Sequence, residues 1–231
     1  MDFIKSVKNL SLFERCLWIG SLVVIFVTSV LFPDPDWLSV LTSLVGATAL
    51  IFVGKGDPIG QLICIIFAIL YAVVSFKFRY YGEMITYLGM SAPSALWALI
   101  TWLKNPYSKR EVKVAEMTFR KWTILTLSSV IVTFFMYFIL KFFGTANLEV
   151  STLSVATSFF ASLLTVFRSP YYALFYALND IVLIILWVYA TISDIGYLPM
   201  VFCFVIFLAN DFYGFFNWQK MKKTQNKSNT F

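Results

Sequence analysis

Eight long apolar runs, separated by short polar connections, occupy most of this 231-residue chain. The hydrocarbon core of a bilayer is about 30 Å thick and needs about 20 apolar residues of helix. Helices satisfy their own backbone polar groups in lipid, and no ten-residue alternating pattern typical of a membrane β-barrel occurs. The sequence therefore predicts an all-α polytopic membrane protein with eight transmembrane helices. The predicted spans are 16–32, 37–53, 59–76, 84–103, 122–143, 150–167, 172–191 and 198–218.

The composition excludes several classes of function. Hydrophobic residues make up 60% of the chain and charged residues 13%, against about 45–50% and about 25% in soluble domains. Histidine is absent, which removes His-based acid–base catalysis and His metal sites. Cys16, Cys64 and Cys203 are far apart and form no zinc or redox motif. We expect a protein that is not an enzyme and that has no metal and no cofactor.

The distribution of lysine and arginine predicts an orientation. Fifteen of the eighteen basic residues fall before the first span, after the even-numbered spans or in the tail; the others are Lys77, Arg79 and Lys141. Basic residues accumulate on the cytoplasmic side of membrane proteins. Both termini are therefore predicted to be cytoplasmic, in a cell inner (plasma) membrane. The net charge of +6 is interpreted as attraction to anionic lipid headgroups and not to nucleic acid.

The spans form two similar blocks of three. Spans two to four and spans six to eight each contain a tight turn after the first span and a short turn with a glycine, Gly82 or Gly196, after the second. Tyr71 and Trp187 are predicted to lie at matching points of the middle span of each block. The fifth span restores the orientation, so the two three-helix repeats run parallel, with a substrate site between them near the midplane. The predicted divisions are an N-terminal segment with an extra helix (1–36), the first repeat (37–105), a basic loop with the linker helix (106–148), the second repeat (149–218) and a basic tail (219–231).

Two Asn-Asp pairs in consecutive spans are the strongest candidates for a binding site. Asn179 and Asp180 lie near the middle of the seventh span, and Asn210 and Asp211 lie in the eighth. Polar groups inside a bilayer are costly and commonly functional. The alternative is that they hydrogen-bond between helices and brace the bundle, each bond contributing ~1 kcal/mol.

Aromatic and hydroxyl side chains complete the predicted substrate site. Pro93 is predicted to kink the fourth span and serve as a hinge, with Ser94 as a candidate ligand beside it. The aromatic candidates for stacking on a flat heterocycle, for which simple packing is the alternative, are Tyr71, Trp97, Tyr176 and Trp187. Glu83 is predicted at the outer mouth, where it either caps the next helix or attracts a cationic solute.

An ordered set of motifs resembles the PnuC family of vitamin and nucleoside transporters over about residues 50–218. The motifs of the first half are Lys55-Gly56, Tyr71, Tyr81-Gly82-Glu83, Pro93 and Trp102-Leu103-Lys104-Asn105. Those of the second half are Arg168, Asp180, Leu186-Trp187, Tyr213-Gly214 and Trp218. The resemblance implies a SWEET-like arrangement of three, one and three helices and assembly as a homotrimer. It also implies facilitated uptake of nicotinamide riboside, with a cytosolic kinase that traps the substrate by phosphorylation.

Four positions depart from the pattern of the nicotinamide riboside carriers. Phe67 stands where the family has an asparagine, Ala95 where it has a glutamine, and Ala173 and Tyr176 where it has two tryptophans. A deoxynucleoside, thiamine or riboflavin is therefore the alternative substrate, and proton coupling through Asp180 or Asp211 is a variant. A membrane scaffold without transport is the alternative from a different class.

Overall fold

Helices dominate the fold, as predicted. The computed structural model describes residues 3–31, 36–77, 81–145, 147–193 and 195–228. Within these ranges, eight helical segments are long and apolar enough to cross a membrane, which confirms the all-α polytopic class. The helices are α1 (Phe3–Lys8), α2 (Leu12–Val30), α3 (Trp37–Gly54), α4 (Ile59–Lys77), α5 (Tyr81–Thr86), α6 (Ala92–Lys104), α7 (Phe119–Phe142), α8 (Leu148–Val166), α9 (Tyr171–Ser193) and α10 (Leu198–Ser228).

Three local features differ from the predicted pattern. The fourth span is interrupted by a π-helical turn, Tyr87–Ser91, between α5 and α6. The basic loop contains a short hairpin of β1 (Pro106–Ser108) and β2 (Glu111–Val112), which pair antiparallel. Helix α10 continues through the predicted tail to Ser228, well beyond the end of its apolar part.

The helices begin and end on two opposite sides of the bundle. On one side, which we call the basic side, Arg110 donates a hydrogen bond to the carbonyl of Lys5, and the N–H of Val112 donates to the carbonyl of Gly56 (3.0 Å). Gln225 of α10 also donates to Glu111 in the hairpin (2.8 Å). The basic side therefore brings together α1, the turn after α3, the hairpin and the end of α10. We call the opposite side the far side.

Two turns on the basic side repeat the same backbone geometry. Gly56, after α3, has φ 74°, and Arg168, after α8, has φ 58°. In each turn the N–H of this residue and the next N–H donate to carbonyls in the last turn of the preceding helix, at 2.9 to 3.0 Å. This pattern is a common way to satisfy the orphan carbonyls at a helix end. Pro58 and Pro170 follow at the same spacing, so α3–α4 and α8–α9 are equivalent pairs.

Reciprocal hydrogen bonds join the two three-helix repeats on the basic side. We call these repeats the triplets: the first contains α3, α4 and the interrupted span α5–α6, and the second contains α8, α9 and α10. The indole N–H of Trp102, at the end of α6, donates to the carbonyl of Thr165 in α8 (2.9 Å). The indole N–H of Trp218, in α10, donates to the carbonyl of Val53 in α3 (2.9 Å). Each triplet thus bonds through its third helix to the first helix of the other. This exchange fits two parallel repeats related by an axis along the membrane normal.

Some residues singled out in the sequence lie outside the described part of the structure, and one predicted equivalence between the two repeats does not hold. The Pro33-Asp34-Pro35 turn, Arg79, Tyr80 and Asp194 lie outside the described residues. Counted from the two proline turns, Trp187 lies one helical turn further along α9 than Tyr71 lies along α4, so these two aromatics are not at equivalent positions.

Candidate central cavity

A cavity in the middle of the bundle lies between the two triplets. The lining includes residues of α3, α4, the π-helical turn and α6 on one side, and of α8, α9 and α10 on the other. Its free volume is about 100 Å³, so the walls have to separate before a drug-sized or nucleoside-sized molecule fits. Of the predicted site residues, the lining includes Ser94, Tyr176, Asn179, Asp180 and Asp211.

Asn179 lines the cavity, and its amide oxygen is held by hydrogen bonds from α8. The oxygen accepts hydrogen bonds from the hydroxyls of Thr157 (2.9 Å) and Ser154 (3.2 Å), both on α8. Asn179 is buried, and no hydrogen bond from its NH₂ group to another described residue is found. The arrangement leaves two N–H donors for an oxygen or nitrogen acceptor on a solute.

Asp180 and Asp211 bring two carboxyl groups together at the same place. Both side chains are buried, and they lie within hydrogen-bonding distance of each other. One oxygen of Asp180, Oδ2, has no hydrogen-bond partner among the described residues. Two adjacent carboxyl groups in a membrane interior need a shared proton or a cation to offset their charge. The described residues that line the cavity include no lysine or arginine.

A stripe of hydroxyls on α8 forms part of the wall that sequence reasoning missed. Ser158, Ser162 and Thr165 line the cavity, and the hydroxyl of Ser162 lies 3.0 Å from that of Tyr176. These residues are three or four positions apart and so share one face of the helix. That spacing is visible in the sequence and was the signal that could have located them.

Aromatic side chains close the cavity toward the far side. Phe67, Tyr71, Tyr87 and Trp187, which we call the aromatic layer, are in contact there: Tyr71 and Tyr87 have ring centroids 4.2 Å apart, and Phe67 lies 5.6 Å from Tyr71. Trp187 belongs to the same buried hydrophobic cluster as Tyr71. Phe67 and Tyr87 line the cavity directly, whereas Tyr71 and Trp187 are buried behind them. The last two residues therefore belong to the closure at this end and not to the cavity wall.

The structure separates two other predicted residues from the cavity. Trp97 is 55% exposed on α6 and is not among the lining residues, so this conformation does not place it where it could stack on a solute in the cavity. Asn210 is buried but donates hydrogen bonds to Ser21 of α2 (3.0 Å) and to the carbonyl of Ile206 (2.9 Å). Asn210 thus braces α10 against the extra N-terminal helix. The predicted hinge, Pro93, lies in the first turn of α6, directly after the π-helical turn.

Comparison with known proteins gives a consistent set of relatives. The family model described as nicotinamide mononucleotide transporter matches residues 36–220. The nicotinamide riboside transporter PnuC of Neisseria mucosa is 31% identical over 214 residues, which cover 90% of this chain and 80% of the relative. The protein of the same name from Haemophilus influenzae is 22% identical and is covered over 91% of both chains.

A solved structure supports the same relationship. It is titled as the crystal structure of the vitamin B3 transporter PnuC, and it superposes with a TM-score of 0.81 at 29% identity over 94% of each chain. The region matched by the family model contains both triplets and every residue of the central cavity named above. The relatives are transporters and not enzymes, in keeping with a buried cavity between two repeats. This multi-pass membrane protein is therefore a transporter that belongs to the nicotinamide mononucleotide transporter family.

Proposed function

We propose that this chain mediates facilitated uptake of nicotinamide riboside or a closely related nucleoside-like vitamin. The observation that carries the proposal is the central cavity between the triplets, with the amide of Asn179 and the carboxyl pair of Asp180 and Asp211 in its wall. Relatives over nearly the whole chain are named nicotinamide riboside transporters. An amide donor suits a ribose hydroxyl or a carboxamide oxygen, and an acidic pair suits the positive charge of a pyridinium ring.

The charge of the cavity favours a nucleoside over a nucleotide. A phosphate carries a charge of about −1.5 to −2 and is usually bound by arginine, lysine or a helix N-terminus. The described part of the cavity wall offers two carboxyl groups and no basic side chain. A phosphorylated substrate would therefore be repelled. This argument also explains why phosphorylation by a cytosolic kinase would trap the product inside.

Transport would proceed by alternate opening of the two sides. The basic side would face the cytoplasm of a cell with an inner (plasma) membrane, in agreement with the positive-inside distribution of lysine and arginine. Rocking of one triplet against the other in one direction would separate the aromatic layer and open the cavity to the outside. Rocking in the other direction would break the contacts of Trp102 and Trp218 and open the cavity to the cytoplasm. A homotrimer in the lipid bilayer is the assembly that the family resemblance implies.

Uptake into proteoliposomes tests the proposal directly. The purified chain should transport labelled nicotinamide riboside faster than empty liposomes do, and unlabelled nicotinamide riboside should compete. Nicotinamide mononucleotide should compete poorly, because of its phosphate. The proposal fails if neither nicotinamide riboside nor any nucleoside crosses faster than through empty liposomes.

A related substrate is the second candidate, and the lining of the cavity favours including it. Phe67 and Ala95 both contact the cavity at the positions where the family pattern has polar side chains. Loss of two polar partners would weaken a ligand that needs them by about 1–3 kcal/mol for each unmet hydrogen bond. Competition by deoxynucleosides, thiamine and riboflavin in the same assay ranks these substrates.

Proton coupling is a variant of the same proposal that rests on the Asp180–Asp211 pair. The pair would bind one proton while the cavity is open to the outside and release it while the cavity is open to the cytoplasm. Such a cycle would couple uptake to a proton gradient. Collapse of an imposed pH gradient with an ionophore should then slow uptake, and Asp180→Asn should remove that dependence. Uptake that is indifferent to pH and to membrane potential establishes plain facilitated diffusion.

A further inference from the structure

A second pocket, of about 320 Å³, opens on the far side of the bundle. Glu83 of α5 contributes to it from the first triplet, and residues of α8, α9 and the following turn contribute from the second, including Trp187 and Tyr197. We call it the far-side pocket. None of its described lining residues also lines the central cavity. The two spaces are therefore separate in this conformation.

Glu83 is a buried acid that nothing in the described structure neutralises. Its side chain lines the far-side pocket and is only 6% exposed. None of the residues at 3–31, 36–77, 81–145, 147–193 or 195–228 donates a hydrogen bond or forms an ion pair with its carboxylate. A buried carboxylate without a partner is costly unless a cation binds beside it.

Two aromatic rings line the same pocket as this acid. Trp187 and Tyr197 have ring centroids 5.8 Å apart, at an interplanar angle of 46°. Aromatic faces attract organic cations as well as flat rings, and the interaction is stronger where water is excluded. Thr145 and Asn147, at the start of α8, add polar groups to the rim of the pocket. A carboxylate, aromatic faces and neutral polar groups together suit a cationic heterocycle that carries hydroxyls.

The aromatic layer separates the far-side pocket from the central cavity. Trp187 belongs both to the pocket lining and to the layer, where it shares a buried cluster with Tyr71. Tyr71 in turn packs against Tyr87, which lines the central cavity. A solute held in the pocket thus contacts the side chain through which the layer is connected to the cavity.

We propose that the far-side pocket is a separate binding site that receives a cationic aromatic heterocycle before it passes the aromatic layer. The carboxylate of Glu83 offsets the positive charge of the ring, and Trp187 and Tyr197 contact its faces. The proposal deepens the transport function proposed above and rests on it for the route of the solute. The site itself binds the cation whether or not the solute crosses.

The first experiment compares a cation with its neutral counterpart. Uptake of nicotinamide riboside, which carries a pyridinium cation, and of its reduced dihydropyridine form, which is neutral, is measured for the wild type and for Glu83→Gln. Loss of a charge partner should raise the KM for the cation about tenfold and leave the KM for the neutral form within about twofold. Glu149→Gln is the matched control, because Glu149 is in the first turn of α8 and outside the pocket lining.

The second experiment is independent of transport. Full-length protein in nanodiscs is titrated with 1-methylnicotinamide, a small pyridinium cation, and tryptophan fluorescence is followed. Glu83→Gln and Tyr197→Leu should each weaken binding several-fold, whereas Glu149→Gln should not. Elution as a single species and an unchanged melting temperature establish that each variant is folded, and Tyr197→Leu serves alone if Glu83→Gln does not fold.

Each outcome of these experiments decides the proposal. An unchanged KM for the cation in folded Glu83→Gln overturns it, as does an equal rise for the neutral form, which would mean that Glu83 only supports the fold. If the wild type transports nothing, the proposed function is wrong. The far-side site then stands or falls on whether 1-methylnicotinamide binds the wild type more tightly than it binds Glu83→Gln or Tyr197→Leu.

Discussion

Asn179 and Asn210 each precede an aspartate in the sequence, yet they have different roles in the structure. Asn179 lines the central cavity, whereas Asn210 donates to Ser21 of α2 and to its own helix. The sequence could place both residues within the membrane but not distinguish them. The partner that separates them, Ser21, is 189 positions away from Asn210 and belongs to a helix outside both repeats.

Replacement of the two asparagines should separate binding from bracing. Asn179→Ala should raise the KM for the transported nucleoside by about tenfold, because the lost N–H donors serve the ligand. It should also lower the melting temperature, because the hydroxyls of Thr157 and Ser154 lose their acceptor. Asn210→Ala should lower the free energy of unfolding by about 1 kcal/mol and leave the KM near the wild-type value. Uptake kinetics and thermal unfolding of both variants measure the two effects.

The same pair of variants tests the scaffold alternative. A scaffold would tolerate Asn179→Ala with no change other than in stability. A normal KM in folded Asn179→Ala would therefore remove Asn179 from the binding site.

Asp36 on the far side gives a pH dependence outside the membrane-spanning helices. Burial raises the pKa of Asp36, but hydrogen bonds from Lys77 and from the hydroxyl and N–H of Ser39 outweigh it and hold the pKa below its usual value. A carboxyl with a lowered pKa stabilises the fold above its ordinary pKa of about 3.9, and this contribution is lost as the pH falls through the lower, folded value.

The melting temperature of the wild type should thus exceed that of Asp36→Asn by a constant amount between about pH 8 and 5, and the gap should narrow below about pH 4. Unfolding scans in detergent at each pH measure it. Lys77→Gln, which removes the cationic partner, should show a smaller gap. A gap that persists unchanged to about pH 3 would contradict the assignment.

At the level of single elements, the fourth span combines a proline with a change of helix type. The N–H of Ala92 donates to the carbonyl of Tyr87, which is the wider spacing of a π-helix, and Pro93 follows without an N–H of its own. A π-helical turn adds a residue to the helix and changes which side chains share a face. Tyr87, Ser91 and Ser94 all line the cavity on either side of this turn.

Pro93→Ala should make this span more regular and less active. A restored N–H allows an ordinary α-helical turn, so we expect a melting temperature equal to or above that of the wild type. The maximal rate of uptake should fall several-fold because the cavity face of the helix is rotated. Leu96→Ala, on the exposed surface of the same helix, is the control and should leave the maximal rate unchanged.

The faces of the helices were harder to predict than their number. Trp97 and Trp187 both lie inside apolar runs, but Trp97 faces outward and Trp187 is buried. In a soluble protein the polar face of a helix marks the outside. In lipid both faces of a helix can be apolar, so only polar residues, such as the hydroxyl stripe of α8, mark the face that points into the bundle. Few spans of this chain contain such a stripe.

For the molecule as a whole, the sequence was sufficient for the number of spans and the duplication. Eight spans follow from the length and hydrophobicity of the runs, and the paired turns at Pro58 and Pro170 have a clear sequence signature. The hairpin at 106–112 and the helical end of α10 depend on contacts between segments far apart in the chain, such as Gln225 with Glu111. Local pattern contains no information about such contacts.

Removal of either of the two indole hydrogen bonds, from Trp102 or from Trp218, should make the cavity more accessible from the basic side, and by the same amount in both cases. Trp102→Phe and Trp218→Phe keep the ring but lose the N–H donor. The acceptor carbonyls of Thr165 and Val53 retain backbone N–H partners, so each loss should cost no more than about 1 kcal/mol. The expected result is an increase of up to about fivefold in the accessibility of the cavity from this side.

The thiol of Cys64 reports this accessibility because it lines the cavity. Its labelling rate is measured after Cys16 and Cys203 have been replaced by serine. Trp122→Phe is the control, since Trp122 packs against Phe160 and Tyr171 outside the reciprocal pair. An increase in only one of the two variants would contradict an equivalent role for the two bonds.

The reciprocity of these two bonds has a consequence for how the carrier switches. Because each bond crosses between the same two triplets, a rigid separation of the triplets breaks both bonds at once. Their costs then add to about 2 kcal/mol, which favours the closed side by about thirtyfold. A half-open state would lose part of both bonds without admitting a solute. In the proposed mechanism, duplication would thus make opening on this side a cooperative, all-or-none event, which is what a carrier needs to avoid a continuous leak.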